Sequence, residues 1–275
     1  MAKWKELKRQ VLAGTQVDSQ GERNTKEFLI NLCESFNSKT RLPLNQQHDM
    51  SLDHAGYIDN FDVVPADDKG KDWHLIGDVH FHDMEIDEAL KGFSYSVTED
   101  LEGQKENRMV GVYVPYPYYQ DKEILQDLAT TAPGIVSGAW RKKAADPGTV
   151  SLIISFALFA AAPAYTNFWN EKISPLVGKL LKKLSDRHSA QYVQTAEGPQ
   201  GEIFGIYFIP ERGNEQECLT LQLILGGIQA VEAYFASDDL AAQKGVHMVK
   251  LIYSQEQNAY GIKSIEYQDG SVINI

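Results

Sequence analysis

The segment from Thr149 to Trp169 constrains the fold of this chain more than any other, because it holds no charged residue over 21 positions. Its length matches the roughly 20 apolar residues that a helix needs to cross a bilayer. Basic residues flank it on both sides. Its alanines and its late proline, Pro163, suit equally well a helix buried between two domains. The sequence therefore predicts one apolar helix and leaves two placements open, membrane-spanning or internal.

Composition limits the partners and the compartment. Of the 275 residues, 43% are hydrophobic and 23% are charged, which is typical of one large folded domain or two ordinary ones. A net charge of −12 argues against nucleic-acid binding, which needs a basic surface to neutralise phosphates. Cys33 and Cys218 lie far apart, which predicts neither a disulfide framework nor a zinc site. The basic N-terminus lacks a following apolar run, so we expect no secretion and a cytoplasmic N-terminal domain, membrane-anchored if the apolar helix spans.

Period-two and helical patterns alternate through the first half of the chain. They predict strands over 10–14, 42–44, 55–64, 73–81, 93–98 and 109–113, and helices over 26–36, 83–91 and 121–130. Thr25 is placed to cap the first helix, and Pro115 ends the last of these strands because proline donates no ladder hydrogen bond.

The second half contains a linker-like segment and a further folded region. Residues 138–148 have the composition of a linker with a basic cluster. Helices are predicted over 173–184 and 219–235, and strands over 203–209, 247–253, 260–267 and 271–275. Gly226 and Gly227 indicate either close helix packing or a break into two helices. We divide the chain into a domain over 1–135, a linking and helical segment over 136–190 and a small α+β domain over 191–275.

Two short segments hold the residues of a serine nucleophile and its base. His48 follows the extended piece that ends at Leu44, and Ser94 lies in a strand pattern that puts Ser94, Ser96 and Thr98 on one face. Serine needs an adjacent base to attack a carbonyl, and histidine titrates near neutral pH. Taken by itself, the spacing of His48 and Ser94 is more typical of a surface histidine in a turn and an ordinary serine in an edge strand than of a catalytic pair.

The order of these elements resembles the capsid-maturation (prohead) serine proteases of tailed phages, which are distantly related to herpesvirus assemblins. The matching residues within 9–120 are VDSQGE at 17–22, PLNQQHD at 43–49, Gly56, GFSYS at 92–96 and VPYP at 114–117. The resemblance implies a β-barrel-like protease core with flanking helices, with His48 as general base and Ser94 as nucleophile. We expect a protein substrate or partner, no cofactor and assembly into a homo-oligomer.

The chain departs from this family at two points. Ser96 stands where members have a glycine, which makes Ser96 a competing nucleophile. The strand before Pro115 holds no carboxylate, and no histidine occurs between Ser94 and Ser137, so the third member of a triad must lie elsewhere or is missing. Losing the orienting residue lowers the rate by orders of magnitude. The alternative is therefore an inactive protease-like binding or sensor module, membrane-attached or oligomeric through the apolar helix.

The histidines near residue 80 offer further roles. The run from His80 to Asp83 is similar to the H-x-H-x-D ligand run of metallo-hydrolases, but two histidines on one strand face need further ligands. We predict half-buried or solvent-facing histidines and no metal. If the two strands are adjacent, His80 is the residue that orients His48. Twelve acidic residues between 49 and 88 against two lysines predict solvated loops, with attraction of cationic peptides or a divalent cation as the alternative.

Overall fold

The computed structural model describes residues 4–17, 23–44, 50–82, 95–98, 110–115, 136–143, 149–154, 162–183, 189–237 and 239–275. These residues form two compact units. Unit 1 contains the described residues up to His82 together with 268–272, and unit 2 contains those from Tyr95 to Tyr267 together with 273–275. From the mixture of predicted strands and helices we expect the α+β class, and the described residues confirm it, since they form both sheets and helices.

Unit 1 is a four-stranded antiparallel sheet with a helix packed on one face. Its elements are β1 (Trp4–Gly14), α1 (Lys26–Asn37), β2 (Leu42–Leu44), β3 (Gly56–Pro65) and β4 (Trp73–His82). The strand order is β1-β4-β3-β2. Thr25 caps α1 as predicted, because its hydroxyl oxygen accepts a hydrogen bond from the N–H of Phe28 at 3.1 Å.

The alternation predicted for β4 decides which face of this sheet is the core. Leu75, Val79 and Phe81 are buried together with Leu29 of α1 and Ile58 of β3. The expected barrel-like core is not formed by the described residues. Their sheet is open, with β1 and β2 at its two edges, since the strand order runs from one to the other without closure.

Unit 2 is built around a nine-stranded mixed sheet in the order β13-β12-β11-β10-β9-β8-β6-β7-β5. Its strands are β5 (Tyr95–Thr98), β6 (Val110–Pro115), β7 (Val136–Lys143), β8 (Thr149–Ile154), β9 (Ser189–Glu197), β10 (Ile203–Ile209), β11 (Val246–Ser254), β12 (Ala259–Tyr267) and β13 (Val272–Asn274). Its helices are α2 (Ala162–Phe168), a π-helical turn (Trp169–Ile173), α3 (Ser174–Lys183), α4 (Glu215–Cys218), α5 (Leu221–Phe235) and α6 (Asp239–Lys244).

The prediction of one apolar helix over Thr149–Trp169 is wrong. The first part of the segment is strand β8, which pairs with β6 and β9, and the described helical residues of the segment are those from Ala162 onward. The physical reason is the local side-chain type, since the TVSLII sequence of β8 is rich in β-branched residues that favour strands. Among the described residues, no helix is both long enough and apolar enough to cross a membrane.

The predicted linker and domain limits also differ from the structure. Much of 138–148 belongs to β7, which pairs with β5 and β6. Strands on both sides of residue 190 share one sheet, because β8 pairs with β9, so the described residues divide between His82 and Tyr95 and not at 135 or 190. The helices predicted over 83–91 and 121–130 lie outside the described residues.

Candidate functional site

The candidate site lies on the face of the unit 1 sheet opposite α1. We call Trp4, Arg41, Tyr57, Asp59 and His80 the Tyr57 cluster. Tyr57 of β3 and His80 of β4 are direct cross-strand partners, and they alternate with the buried Ile58 and Val79. Because successive strand residues point to opposite faces, the register that buries the core residues places these polar and aromatic groups on the other side.

Ring contacts join the members of the Tyr57 cluster. The Tyr57 and His80 rings are stacked with centroids 4.5 Å apart and planes inclined by 15°. The guanidinium carbon of Arg41 lies 4.8 Å from the Tyr57 ring centroid, within the range of a cation–π contact. The indole of Trp4 meets Tyr57 edge-on at 5.4 Å and remains 51% exposed. The cluster therefore presents aromatic and cationic surface.

His80 is held by a carboxylate. Its Nε2 lies 3.0 Å from Oδ1 of Asp59, and the two side chains are 17% and 26% exposed. A carboxylate that hydrogen-bonds to one ring nitrogen fixes the orientation of an imidazole. The His80 ring is therefore held in a definite orientation within the cluster.

Asp78 shapes the strands that carry the cluster. The backbone N–H of Arg9 donates to its Oδ1 at 2.8 Å, and the side-chain amide of Asn60 donates to its Oδ2 at 3.1 Å. Arg9 and Asn60 both have positive φ, 51° and 53°, and each lies at an irregularity in the pairing of its strand with β4. One carboxylate thus stabilises two bulges on either side of β4.

The same contacts change the titration of Asp78. The N–H of Arg9 is the main cause that holds the pKa of the Asp78 carboxyl below its ordinary value, helped by the Asn60 amide and the charges of Lys8 and His80 and opposed by burial. The carboxylate form is therefore the one that stabilises the bulges.

Arg41 is positioned by the C-terminal segment of unit 1. Its Nε donates to the carbonyl oxygen of Gly270 at 3.2 Å. Gly270 has a φ of +76°, and a Cβ atom there would collide with the carbonyl oxygen of Arg41. Only glycine allows both this conformation and this close approach. The turn at Asp269-Gly270 thus helps to place a guanidinium beside Tyr57.

The predicted catalytic residues fall in different parts of the chain. His48 and Ser94 lie outside the described residues, and Ser96 lies in β5, where its backbone is paired with that of Lys142. His80 lies on β4, which β3 separates from β2, and its ring pairs with Asp59. The catalytic roles therefore stay predictions. No group of three His, Cys, Asp or Glu side chains within the described ranges is arranged to hold a metal ion.

Sequence reasoning missed Asp59, Tyr57 and Arg41. The feature that could have revealed Tyr57 and Asp59 is the hairpin formed by β3 and β4. Its register runs from Pro65↔Trp73 to Tyr57↔His80 and brings these two side chains next to His80. Reading that register requires knowing that the pairing shifts by one residue between Asp59 and Asp62. A hairpin drawn without the bulge puts Asp59 on the wrong partner.

Comparisons with known proteins identify no relative: no protein-family model, no curated protein and no solved structure matches this chain.

Proposed function

We propose that this chain acts on a protein partner as a serine endopeptidase-like protein. Ser94 would attack the peptide carbonyl, with Ser96 as the competing nucleophile, and His48 would take the proton and return it to the leaving amine. Backbone amides would stabilise the oxyanion. The support for this chemistry is the sequence resemblance around the two residues.

The observation that carries the choice of a protein partner is the Tyr57 cluster. Tyr, Trp and Arg are enriched at protein interfaces and at the residues that contribute most to binding. Here all three types adjoin one another, since Trp4 and Arg41 both contact the Tyr57 ring. An aromatic and cationic surface of this kind favours recognition of a polypeptide over recognition of a small molecule.

A second candidate, binding without cleavage, is favoured by the Asp59–His80 pair. The Asp59 carboxylate is engaged with His80 at 3.0 Å, and the Glu266 carboxylate lies 3.7 Å from Nε2 of His247. His48 would therefore need another orienting group, and a triad without one loses roughly 10⁴-fold in rate. Under this alternative the Tyr57 cluster binds a partner, a second copy of the chain included, and no peptide bond is cut.

Active-site labelling separates the two candidates. The folded chain is treated with a fluorophosphonate probe beside Ser94→Ala, Ser96→Ala and His48→Ala variants, with heat-unfolded protein as the blank. Labelling that disappears with Ser94→Ala and His48→Ala but survives Ser96→Ala supports the endopeptidase. Labelling unchanged by all three variants contradicts the assigned nucleophile, and absence of labelling in the folded chain favours binding alone.

The partner surface is tested separately. Tyr57→Ser removes the ring that Trp4, Arg41 and His80 all contact. The matched control is Lys69→Ser, which changes an exposed residue in the turn after β3. Reduced self-association or reduced co-purification of a partner with Tyr57→Ser, but not with Lys69→Ser, supports the surface. Equal behaviour of both variants and the parent chain would show that the Tyr57 cluster is not the interface.

A further inference from the structure

A second site lies in unit 1, at the end of the sheet where α1 begins. A cavity of about 330 Å³ is lined by Thr15, Arg23, Asn24, Thr25, Lys26, Lys71 and Trp73. This volume is at the lower end of the range for small-molecule sites, roughly 300–1,000 Å³. None of its lining residues belongs to the Tyr57 cluster or to the predicted catalytic set.

The charge of this cavity is opposite to that of the chain. Three of the seven lining residues, Arg23, Lys26 and Lys71, are cationic, whereas the chain as a whole has a net charge of −12. Two carboxylates lie close by. Oδ1 of Asp72 accepts from Nη2 of Arg23 at 2.9 Å and from the hydroxyl of Thr15 at 3.0 Å, and Oδ1 of Asp67 accepts from the backbone N–H of Lys71 at 3.1 Å. The seven residues that line the cavity include three cations and neither Asp nor Glu, so the lining itself attracts an anion.

Two of the three cationic groups, those of Arg23 and Lys26, have contacts that hold them in place before any ligand arrives. Nε of Arg23 donates to the carbonyl oxygen of Thr15 at 2.6 Å, which fixes the guanidinium at two points. The ammonium nitrogen of Lys26 lies 3.2 Å from the centroid of the Trp73 ring. Groups that are already oriented lose less entropy when they bind a ligand.

Hydrogen bonds also fix the position of the residues that form the polar and apolar walls of the cavity. The Asn24 amide donates to the carbonyl oxygen of Gly14 at 3.0 Å, and the N–H of Trp73 donates to the Thr15 hydroxyl at 2.9 Å. These bonds tie the loop before α1 to the ends of β1 and β4. The Trp73 indole supplies an apolar wall beside the cations.

We propose that this cavity binds an oxyanion that carries a small apolar group, such as a phosphate monoester or a carboxylate. The oxyanion contacts Arg23, Lys26 and Lys71, and the apolar group lies against Trp73. Arginine and lysine are the residue types that bind such oxygens, and the indole favours a flat organic group over a bare inorganic ion.

The test is isothermal titration calorimetry on the full chain with phenyl phosphate, inorganic phosphate and benzoate as probes. We expect phenyl phosphate or benzoate to bind more tightly than inorganic phosphate, and binding to weaken strongly when NaCl is raised from about 0.05 M to 0.5 M, because salt screens exposed charges. A preference for phenyl phosphate identifies phosphate as the headgroup, and an equal or stronger affinity for benzoate identifies carboxylate.

Three variants locate the binding. Lys26→Gln and Lys71→Gln each remove one charge and are expected to weaken binding about fivefold or more. Lys69→Gln removes an exposed lysine from the same turn as Lys71 but does not line the cavity, so it is expected to bind like the parent chain. Circular dichroism confirms that each variant is folded. Absence of binding at 20 mM probe, or equal weakening by all three substitutions, would overturn the proposal.

Discussion

Two adjacent glycines in α5 provide a sharp test of the packing in unit 2. Gly226 is exposed, and a Cβ atom built on it meets nothing within 4 Å. Gly227 is buried, and a Cβ atom there would lie 2.6 Å from Cε1 of Phe208 and 3.0 Å from Cδ1 of Leu251. The two positions share one helix and differ in their surroundings, so each is the control for the other.

The magnitudes follow from two opposing effects. Replacing glycine by alanine inside a helix stabilises it by about 0.5–1 kcal/mol, because the unfolded chain loses freedom and the backbone is better shielded. At Gly227 the added methyl must also displace Phe208, a fully buried ring that contacts Tyr192 and Tyr260 at centroid distances of 5.6 Å and 5.0 Å. Such overpacking costs about 1–3 kcal/mol.

The assay is differential scanning calorimetry of Gly226→Ala and Gly227→Ala, with hydrogen exchange of the β10 and β11 amides to assign the transition to unit 2. At roughly 2–4 °C per kcal/mol, Gly226→Ala is expected to raise Tm by about 1–4 °C. Gly227→Ala is expected to melt about 2–12 °C below Gly226→Ala. A Tm for Gly227→Ala equal to or above that of Gly226→Ala would refute the packing argument.

A double substitution tests the named contact. Phe208→Leu removes the ring edge that lies closest to the added methyl, so Phe208→Leu combined with Gly227→Ala should cost less than the sum of the single changes. Strict additivity would mean that the strain at Gly227 is relieved elsewhere.

Two titration experiments follow from the buried and hydrogen-bonded groups. Asp78→Asn should lower the free energy of unfolding at pH 7 by about 1 kcal/mol, a modest value because the carboxylate is partly exposed. Since the pKa of Asp78 is lowered in the folded state, its contribution is complete above the unfolded value of about 3.9 and is lost as pH falls through the folded value. Urea denaturation from pH 3 to 7 should show the difference between parent and variant shrinking in acid, and a constant difference would contradict the assignment. In unit 2, burial raises the pKa of Tyr165 to about 12, against the opposing effect of its hydrogen bond to Tyr192. Stability is therefore expected to be complete below pH of about 10 and to decline as pH rises towards 12, less steeply for Tyr165→Phe, and equal slopes in alkaline urea titrations would argue against this burial.

Where the structure agrees with the sequence, the signal is local. Thr25 and the apolar spacing after it predicted α1, and the alternation over 73–81 predicted β4. The long helix near Gly226 was likewise predicted within two residues of its observed start at Leu221. In each case the side chains of the element itself are enough to show the period of its apolar residues.

The candidate site was harder because it depends on pairs of residues distant in sequence. The histidine run marks His80 as a candidate site residue, but its partner Asp59 lies 21 positions earlier. The bulge in β3 must be known before the two can be paired. Arg41 reaches Tyr57 with the help of Gly270, which is 229 positions away. Composition and periodicity describe neighbouring residues and carry no information about contacts between residues this far apart in sequence.

The sequence by itself determined the α+β class, the cap of α1 and the alternation of the strands, because these depend on residues within a few positions of one another. Only the tertiary structure decided that the uncharged segment from Thr149 divides into a strand and a helix, since β8 finds partners on both sides in β6 and β9. The tertiary structure also decided that the Asp59 carboxylate holds His80, because the cross-strand register and a one-residue bulge set the distance between the two side chains. Short-range preferences select an element, and long-range hydrogen bonding selects its neighbours.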